Sequence, residues 1–117
     1  MRYMLTLMGP EGGFEDATPE QMSEEMSHWA QFGSDAMEKG AFVAGEALQE
    51  SSTATTLRGG RGREWSITDG PYAESKEQLG GFYLLDCPDL DDAIKWAARI
   101  PGARTGSVEI RPVMEFD

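Results

Sequence analysis

Four stretches of the chain are rich in apolar residues, and each predicts a strand. RYMLTLMG (2–9) has apolar side chains on both faces, which is typical of a strand inside a sheet. AFVAGEAL (41–48) and LGGFYLLDC (79–87) predict two more strands. The double glycine of 79–87 indicates that another backbone or a ligand comes close. GSVEIRPVMEF (106–116) predicts the last strand, and its proline marks an edge or a bulge.

Helical spacing of apolar residues marks one long segment, TPEQMSEEMSHWAQFGSDAMEKG (18–40). Thr18 is the predicted N-cap, and Gln21 completes a capping box with it. Pro19 occupies the first helical position, and Gly40 ends the helix. One apolar stripe predicts the face that packs on the sheet, and it comprises Met22, Met26, Trp29, Gly33, Ala36 and Met37.

A second helix is predicted at DLDDAIKWAARIPG (89–102). Asp89 is its predicted N-cap, and two further aspartates in the first turn suit the positive end of the helix dipole. The proline and glycine at 101–102 stop the helix. Its buried side is predicted to comprise Ile94, Ala97 and Ala98.

Two short stretches alternate with period two and predict a β-hairpin. They are SSTATTLR (51–58) and REWSITD (63–69), joined by a glycine-rich tip at 59–62. The tip lacks the Lys-Ser/Thr pair of a phosphate-binding loop. The hairpin carries a small basic patch that consists of Arg58, Arg61 and Arg63. This patch either steers an anion to a cleft, contacts an acidic neighbouring subunit, or keeps the hairpin solvated, and we favour the last interpretation.

The predicted order of elements is β-α-β-(hairpin)-β-α-β. Two helices on one face of an antiparallel sheet define an α+β, ferredoxin-like βαββαβ fold with an inserted β-hairpin. The other face of this sheet also carries apolar side chains, so leaving it in water would be costly. We therefore expect a homodimer in which two sheets pack face to face.

Composition narrows the classes of protein and partner. A chain of 117 residues fits a single domain. Its 21 acids and 10 bases give a net charge of −11, which disfavours direct binding to nucleic acid or to anionic membranes. Cys87 is the single cysteine, so no internal disulfide forms, and a reducing cytoplasm fits. We expect no signal peptide and no membrane span, because no apolar run approaches the ~20 residues required.

The segment from DGPYAESKEQLGGFYLL to the last strand (69–116) resembles the YCII-related family, in the branch named after an Asp-Gly-Pro-Phe motif. Tyr72 stands where the motif has Phe. RYMLTLMG (2–9) and KGAFVAGEAL (39–48) extend the resemblance over nearly the whole chain. The resemblance implies a dimeric α+β barrel, and many members of the branch are encoded near sigma factors or fused to them. It also implies an active-site pair of a His and an Asp.

Asp69 and His28 are the residues that match this implied catalytic pair. Asp69 acts either as the first residue of a turn or as a general base at the mouth of a pocket. His28 lies beside the apolar stripe of the first helix, and it serves either in packing or as a proton shuttle. A single histidine excludes a His-rich metal site, and we expect neither a metal nor a cofactor.

Three further residues are candidate ligand-binding groups. Lys76 is one of few bases in an acidic chain, so it is either solvated or paired with an anionic ligand or with an acid of the other subunit. Tyr72 and Tyr83 carry hydroxyls that would orient a polar ligand, although aromatic packing is the alternative. Two functions stay open. One is binding of a small organic molecule, with cofactor-free acid–base chemistry. The other is a non-catalytic interaction module linked to sigma-factor regulation.

Overall fold

The computed structural model describes residues 1–62 and 64–116, and its element order confirms the predicted one. The second and fifth strands begin and end within a residue or two of the predicted bounds, whereas the last strand is shorter. Two short 3₁₀ helices occupy Ser51–Thr53 and Pro101–Arg104. The main elements are β1 (Arg2–Gly9), α1 (Pro19–Glu38), β2 (Phe42–Ala47), β3 (Thr55–Arg58), β4 (Ser66–Asp69), β5 (Gln78–Asp86), α2 (Leu90–Arg99) and β6 (Ser107–Pro112).

Four strands form one antiparallel sheet in the order β2-β5-β1-β6. β1 lies between β5 and β6, which confirms the prediction that it is an inner strand. Leu5 faces Tyr83 on one side and Ile110 on the other, and Tyr3 faces Leu85. The strand order and the two helices are those of the split βαβ, ferredoxin-like α+β fold.

The hydrophobic core lies between the sheet and the helices. Alternate residues of β1 and β5 contribute to it, because successive side chains of a strand point to opposite faces. Its buried members from these elements are Tyr3, Leu5, Phe32, Ala36, Leu85, Ala93, Trp96 and Ala97. Met4, Phe82 and Leu84 occupy the intervening positions, stay partly exposed and lie outside this core.

The N-terminus of α1 forms as predicted. Thr18 Oγ1 accepts a hydrogen bond from the Gln21 backbone N–H at 3.1 Å, and Gln21 Oε1 accepts one from the Thr18 N–H at 2.9 Å. This reciprocal pair is the capping box that the spacing indicates. After the helix, Gly40 adopts a left-handed conformation with φ +73°, which a residue with a side chain rarely adopts.

The predicted apolar stripe of α1 is wrong at its methionines. Met26 and Met37 are each 62% exposed, whereas Phe32 and Ala36 are buried. The buried face therefore follows the aromatic residues. The Phe32 ring packs 4.8 Å from the Tyr83 ring and makes an edge contact with the Trp96 ring at 5.9 Å. Aromatic rings bury large areas, so they turn the helix about its axis and leave the methionines outside.

Trp96 determines the buried face of α2 in the same way as the aromatic residues determine that of α1. The structure buries Ala93, Trp96 and Ala97, so the prediction was right for Ala97. It was wrong for Ile94 and Ala98, which are exposed. The helix ends at Arg99, just before the predicted stop at Pro101, where a 3₁₀ helix begins.

The hairpin forms a separate two-stranded sheet. Thr55 pairs with Asp69, and Leu57 pairs with Ile67. The predicted first strand was too long, because Ser51–Thr53 is a 3₁₀ helix. Arg63, which the prediction placed at the start of the second strand and in the basic patch, lies outside the described residues. We call residues 55–72 the arm, since they include both strands and the turn that follows them.

Gly81 in β5 confirms the prediction that another backbone comes close to the double glycine of this strand. A Cβ atom at this position would lie 2.6 Å from the carbonyl oxygen of Glu46 in β2, well inside van der Waals contact. Glycine therefore allows β2 to approach β5 at the end of the sheet where the arm begins. This end of the sheet also carries the candidate site.

Candidate functional site

A cleft lies between the first half of α1 and the end of the sheet. It consists of two adjoining cavities of about 400 and 310 Å³, which share Leu7, Trp29 and Gly80 as lining residues. β1 contributes Leu7, α1 contributes Trp29 and β5 contributes Gly80, so the fold brings three distant segments together. The volumes are in the range of pockets that hold small organic ligands.

Stacked aromatic rings form one wall of the cleft. The Trp29 and Tyr83 rings lie 6.4 Å apart with an angle of 21° between their planes. The Tyr83 ring also contacts the Phe42 ring edge-on at 6.4 Å, so it is braced from the sheet side. Burial raises the pKa of the Tyr83 phenol, which keeps its hydroxyl protonated at neutral pH. A flat apolar surface with a neutral hydroxyl suits an aromatic or unsaturated ring.

Glu25 and Trp29 form a hydrogen-bonded pair in the cleft. The indole Nε1–H of Trp29 donates to Glu25 Oε1 at 3.1 Å across one turn of α1. This bond orients the indole ring and places a partly buried carboxylate beside it. Sequence reasoning assigned Trp29 to the core and passed over Glu25. The spacing of four residues between an acid and a tryptophan on one helix is the signal that would have found the pair.

Glu11 holds the loop that borders the cleft. Its carboxylate accepts a hydrogen bond from the Ser51 backbone N–H at 2.6 Å and another from the Ser51 hydroxyl. These hydrogen bonds, the side-chain one above all, hold the pKa of Glu11 below its ordinary value of 4.5. Glu11 is therefore ionised at neutral pH, and it ties the loop after β1 to the 3₁₀ helix at the root of the arm.

The lining of the cleft is acidic. Among the described residues, no lysine, arginine or histidine lines either cavity. Four carboxylates do, and they are Glu11, Glu25, Glu46 and Glu50. Carboxylates in a partly apolar cleft supply acceptors for protons and for hydrogen-bond donors, and they repel anions.

His28 lies next to the cleft, in a different groove. It is exposed on α1, and this groove of about 410 Å³ runs along the end of α2 and contains Arg99 and Arg104. Glu25 lines both the groove and the cleft. The histidine is thus on the far side of Glu25 from the aromatic wall.

Asp69 lies on the arm, at the end of β4, and its side chain is exposed. It lines neither cavity of the cleft nor the groove of His28. The turn after it is anchored, because the Gly70 N–H donates to the Ala54 carbonyl at 2.7 Å. The structure therefore places Asp69 and His28 on separate elements, and their catalytic roles stay predictions.

The three predicted ligand-binding residues also lie apart. Tyr83 lines the cleft, as the site prediction requires, although ligand binding by its side chain stays a prediction. Tyr72 is 77% exposed and lies on the arm. Lys76 is exposed in the segment between the arm and β5, and it lines neither cavity of the cleft.

Among residues 1–62 and 64–116, no group of three His, Cys, Asp or Glu side chains is arranged to hold a metal ion. Within the same residues, no helix has the length and apolar character that crossing a membrane requires.

The fold and the cleft define a small α+β protein of the split βαβ class, with its site between the first helix and the sheet. The YCII-related domain model matches residues 1–117, and the chain belongs to the YCII-related family. An uncharacterized protein of Rhizobium meliloti (strain 1021) is 48% identical over 68 residues. That match covers 56% of this chain and 54% of the relative, so it spans about half of the relative's length.

A solved structure is similar in fold over nearly its whole length. It is 5-chloro-2-hydroxyhydroquinone dehydrochlorinase (TftG) of Burkholderia phenoliruptrix AC1100, in complex with 2,5-dihydroxybenzoquinone. The sequence identity is 11%, the match covers 99% of this chain and 96% of the dehydrochlorinase, and the TM-score is 0.47.

Proposed function

We propose that this YCII-related protein binds a small, planar and mostly apolar organic molecule in the cleft. The observation that carries the proposal is the pair of adjoining cavities, which share Leu7 and Trp29 as walls and of which the larger is also lined by Tyr83. A ring inserted there would pack against the stacked aromatic side chains, which favour flat apolar partners. In the cleft of a single chain, the acidic lining favours neutral or cationic ligands over anionic ones.

Acid–base chemistry without a cofactor is the reaction that this lining supports. A general base must lie within hydrogen-bond reach of the proton that it removes. Glu25 fits this role because its carboxylate lies in the cleft and is oriented by Trp29. We propose that Glu25 takes a proton from an acidic carbon of the ligand and returns it at another atom, as in an isomerisation. A pairing of Asp69 with His28 would require the arm to approach α1.

Ligand binding is tested by thermal shift with a panel of neutral lactones, phenols and quinones. A ligand at 100 times its dissociation constant stabilises the folded state by about 2.7 kcal/mol. We expect stabilisation of the wild type and of Glu24→Gln, a control on the exposed side of α1, and little of Trp29→Leu. Equal stabilisation of all three proteins would place the binding site elsewhere.

The catalytic part is tested separately with Glu25→Gln. A glutamine keeps an oxygen that accepts the hydrogen bond from Trp29, but it is not a base. We expect this variant to retain ligand binding and to lose the exchange of the ligand's acidic C–H for deuterium, followed by NMR in D₂O. Exchange at the wild-type rate in Glu25→Gln would remove Glu25 from the reaction.

The dimer belongs to the same proposal. Met4, Phe82 and Leu84 leave apolar surface on the face of the sheet opposite the helices, and a second copy would remove it from water. We propose a cytoplasmic homodimer that pairs these faces. Sedimentation equilibrium is expected to show dimers at micromolar concentration, and Leu84→Lys is expected to shift the protein to monomers. Monomers of the wild type under these conditions would contradict the pairing.

A non-catalytic interaction module is the second candidate function, and the exposed apolar side chains of the arm favour it. Trp65 is 66% exposed and Ile67 is 70% exposed. Exposed large apolar residues that cluster are typical of interaction surfaces. This candidate includes the sigma-factor-linked regulation that the family resemblance implies. Failure of every ligand in the panel to stabilise the wild type would favour it over ligand binding.

A further inference from the structure

The arm projects without a partner in the described chain. Across residues 1–62 and 64–116, β3 and β4 pair with each other and with no other strand. An isolated two-stranded sheet is marginal in water unless another surface covers it. Its large apolar side chains are exposed by 56% to 77%, and they are Leu57, Trp65, Ile67 and Tyr72. The arm therefore presents a surface that requires cover.

Hydrogen bonds close the root of the arm and link the residues before it to the edge of the cleft. The Gly70 N–H donates to the Ala54 carbonyl at 2.7 Å, and the Thr56 hydroxyl donates to the Gly70 carbonyl at 2.8 Å. The backbone N–H of Ser51, just before the arm, donates a hydrogen bond to the Glu11 carboxylate at the edge of the cleft. The chain measures 48 × 48 × 18 Å, a flat outline. No described residue of the arm lines either cavity of the cleft in its own chain.

Charge identifies the surface that the arm fits. Residues 55–72 contain three arginines and two acids, for a net charge of +1, while the rest of the −11 chain carries −12. Two of these arginines, Arg58 and Arg61, are exposed in the structure. The cleft has the opposite character, because four carboxylates and no basic residue line its described part. Opposite potentials favour association of the arm with a cleft.

We propose that the arm of one copy docks on the cleft of a second copy. Arg58 and Arg61 would approach the carboxylates at the rim, and Trp65 would cover the apolar wall. The inference rests on the proposed function, because the cleft is the ligand site, and it deepens that function. Each site would then be completed by its partner, which supplies the cations that the cleft lacks and allows a ligand with an anionic group to bind.

Cross-linking between two variants, each with one new cysteine, tests whether the arm of one copy reaches the cleft of another. One protein carries Ser66→Cys on the arm, and the other carries Gln49→Cys at the rim of the cleft. Both positions are exposed, and the native Cys87 is 1% exposed, so a short bis-maleimide reacts at the new thiols. We expect a covalent dimer in the mixture and none with either protein alone. A third variant with both cysteines distinguishes docking of the arm on a second copy from folding of the arm onto the cleft of its own chain.

Three outcomes would overturn the proposal. They are an internal cross-link within monomers of the double-cysteine chain, a covalent dimer of Ser66→Cys alone, and the absence of any cross-link in the mixture. Charge reversal gives a second measurement. Arg61→Glu is expected to lower the yield of cross-linked dimer at least tenfold. Lys95→Glu, the same reversal of charge at an exposed position of α2, is expected to leave the yield unchanged. Equal yields for the two variants would also overturn the proposal.

The result separates this inference from the proposed function. If a ligand stabilises the wild type through Trp29 while no cross-link forms, the ligand site stands and the exchange of arms is wrong. If cross-links form and neither the panel nor its anionic analogues stabilise the wild type, the arm docks on the cleft and the ligand-binding function is wrong.

Discussion

The guanidinium of Arg58 lies over the ring of Tyr72, 5.2 Å from the ring centroid. The same guanidinium donates a hydrogen bond to the Tyr72 carbonyl oxygen at 3.3 Å. One side chain of β3 therefore holds both the backbone and the ring of the residue that ends the Asp-Gly-Pro-Tyr motif. The motif acts first as the clamp at the base of the arm.

Replacement of Arg58 is expected to loosen this clamp. Arg58→Gln removes the cation from the ring of Tyr72, and contacts of this kind at exposed sites contribute about 0.5–1 kcal/mol. We expect faster amide hydrogen exchange in residues 66–72 with little change in global stability. Exchange at the same rate in the wild type and the variant would show that the clamp contributes nothing to the order of the arm.

Two glycines are expected to respond to alanine in opposite directions. At Gly81 the added Cβ would lie 2.6 Å from the Glu46 carbonyl oxygen, so Gly81→Ala should lower the free energy of unfolding by about 1–3 kcal/mol. Gly33 lies in α1, and outside its chain neighbours and the backbone of its own helix no atom lies within 4 Å of an added Cβ, so Gly33→Ala should raise it by about 0.5–1 kcal/mol. Urea unfolding measures both. Similar changes in the two variants would contradict the close approach of β2 to β5.

The hydrogen bonds of Glu11 predict a loss of stability in acid. Because its pKa in the folded state lies below 4.5, its contribution is fully present above pH 4.5 and is lost as the pH falls through the folded-state value. Glu11→Gln should therefore be less stable than the wild type at neutral pH, and the two should converge in acid. Urea unfolding at a series of pH values measures the difference, and a gap that stays constant with pH would refute the assignment.

Cys87 is expected to be unreactive in the native protein. Burial, assisted by the nearby Asp92 carboxylate, raises the pKa of its thiol to about 11 from an ordinary 9.0. Iodoacetamide should thus modify it at neutral pH far more slowly than it modifies the exposed thiol of Ser66→Cys. The stabilisation from the protonated thiol is present below pH 9.0 and is lost as the pH rises towards 11. Equal alkylation rates at the two positions would contradict this burial.

Local sequence patterns predicted the order of helices and strands well, because the signals for each element lie in residues that are close together in the sequence. The capping box of Thr18 and Gln21 needs contacts across three residues only, and it formed as expected. The buried faces of the helices depended on partners far along the chain. The ring of Phe32 turned α1 because it packs on Tyr83 and Trp96, and the spacing of the methionines contains no information about those rings.

The candidate site was harder to predict for the same reason. Leu7, Trp29 and Gly80 come from three elements, so their shared cavity exists only once the sheet has formed. The motif around Asp69 drew attention because it is distinctive, yet the structure uses it at the base of the arm. Each of the residues that line the cleft resembled an ordinary core or surface residue when it was considered alone.

The pairing of β1 with β5 and β6 has a consequence for how the chain acquires its shape during synthesis. Arg2 pairs with Asp86, and Tyr3 pairs with Pro112, so β1 finds its partner strands only when residues 78–112 have been made. Until then α1 has no surface on which to bury its aromatic residues. Pairings between such distant segments make folding slow compared with that of helical proteins of equal length.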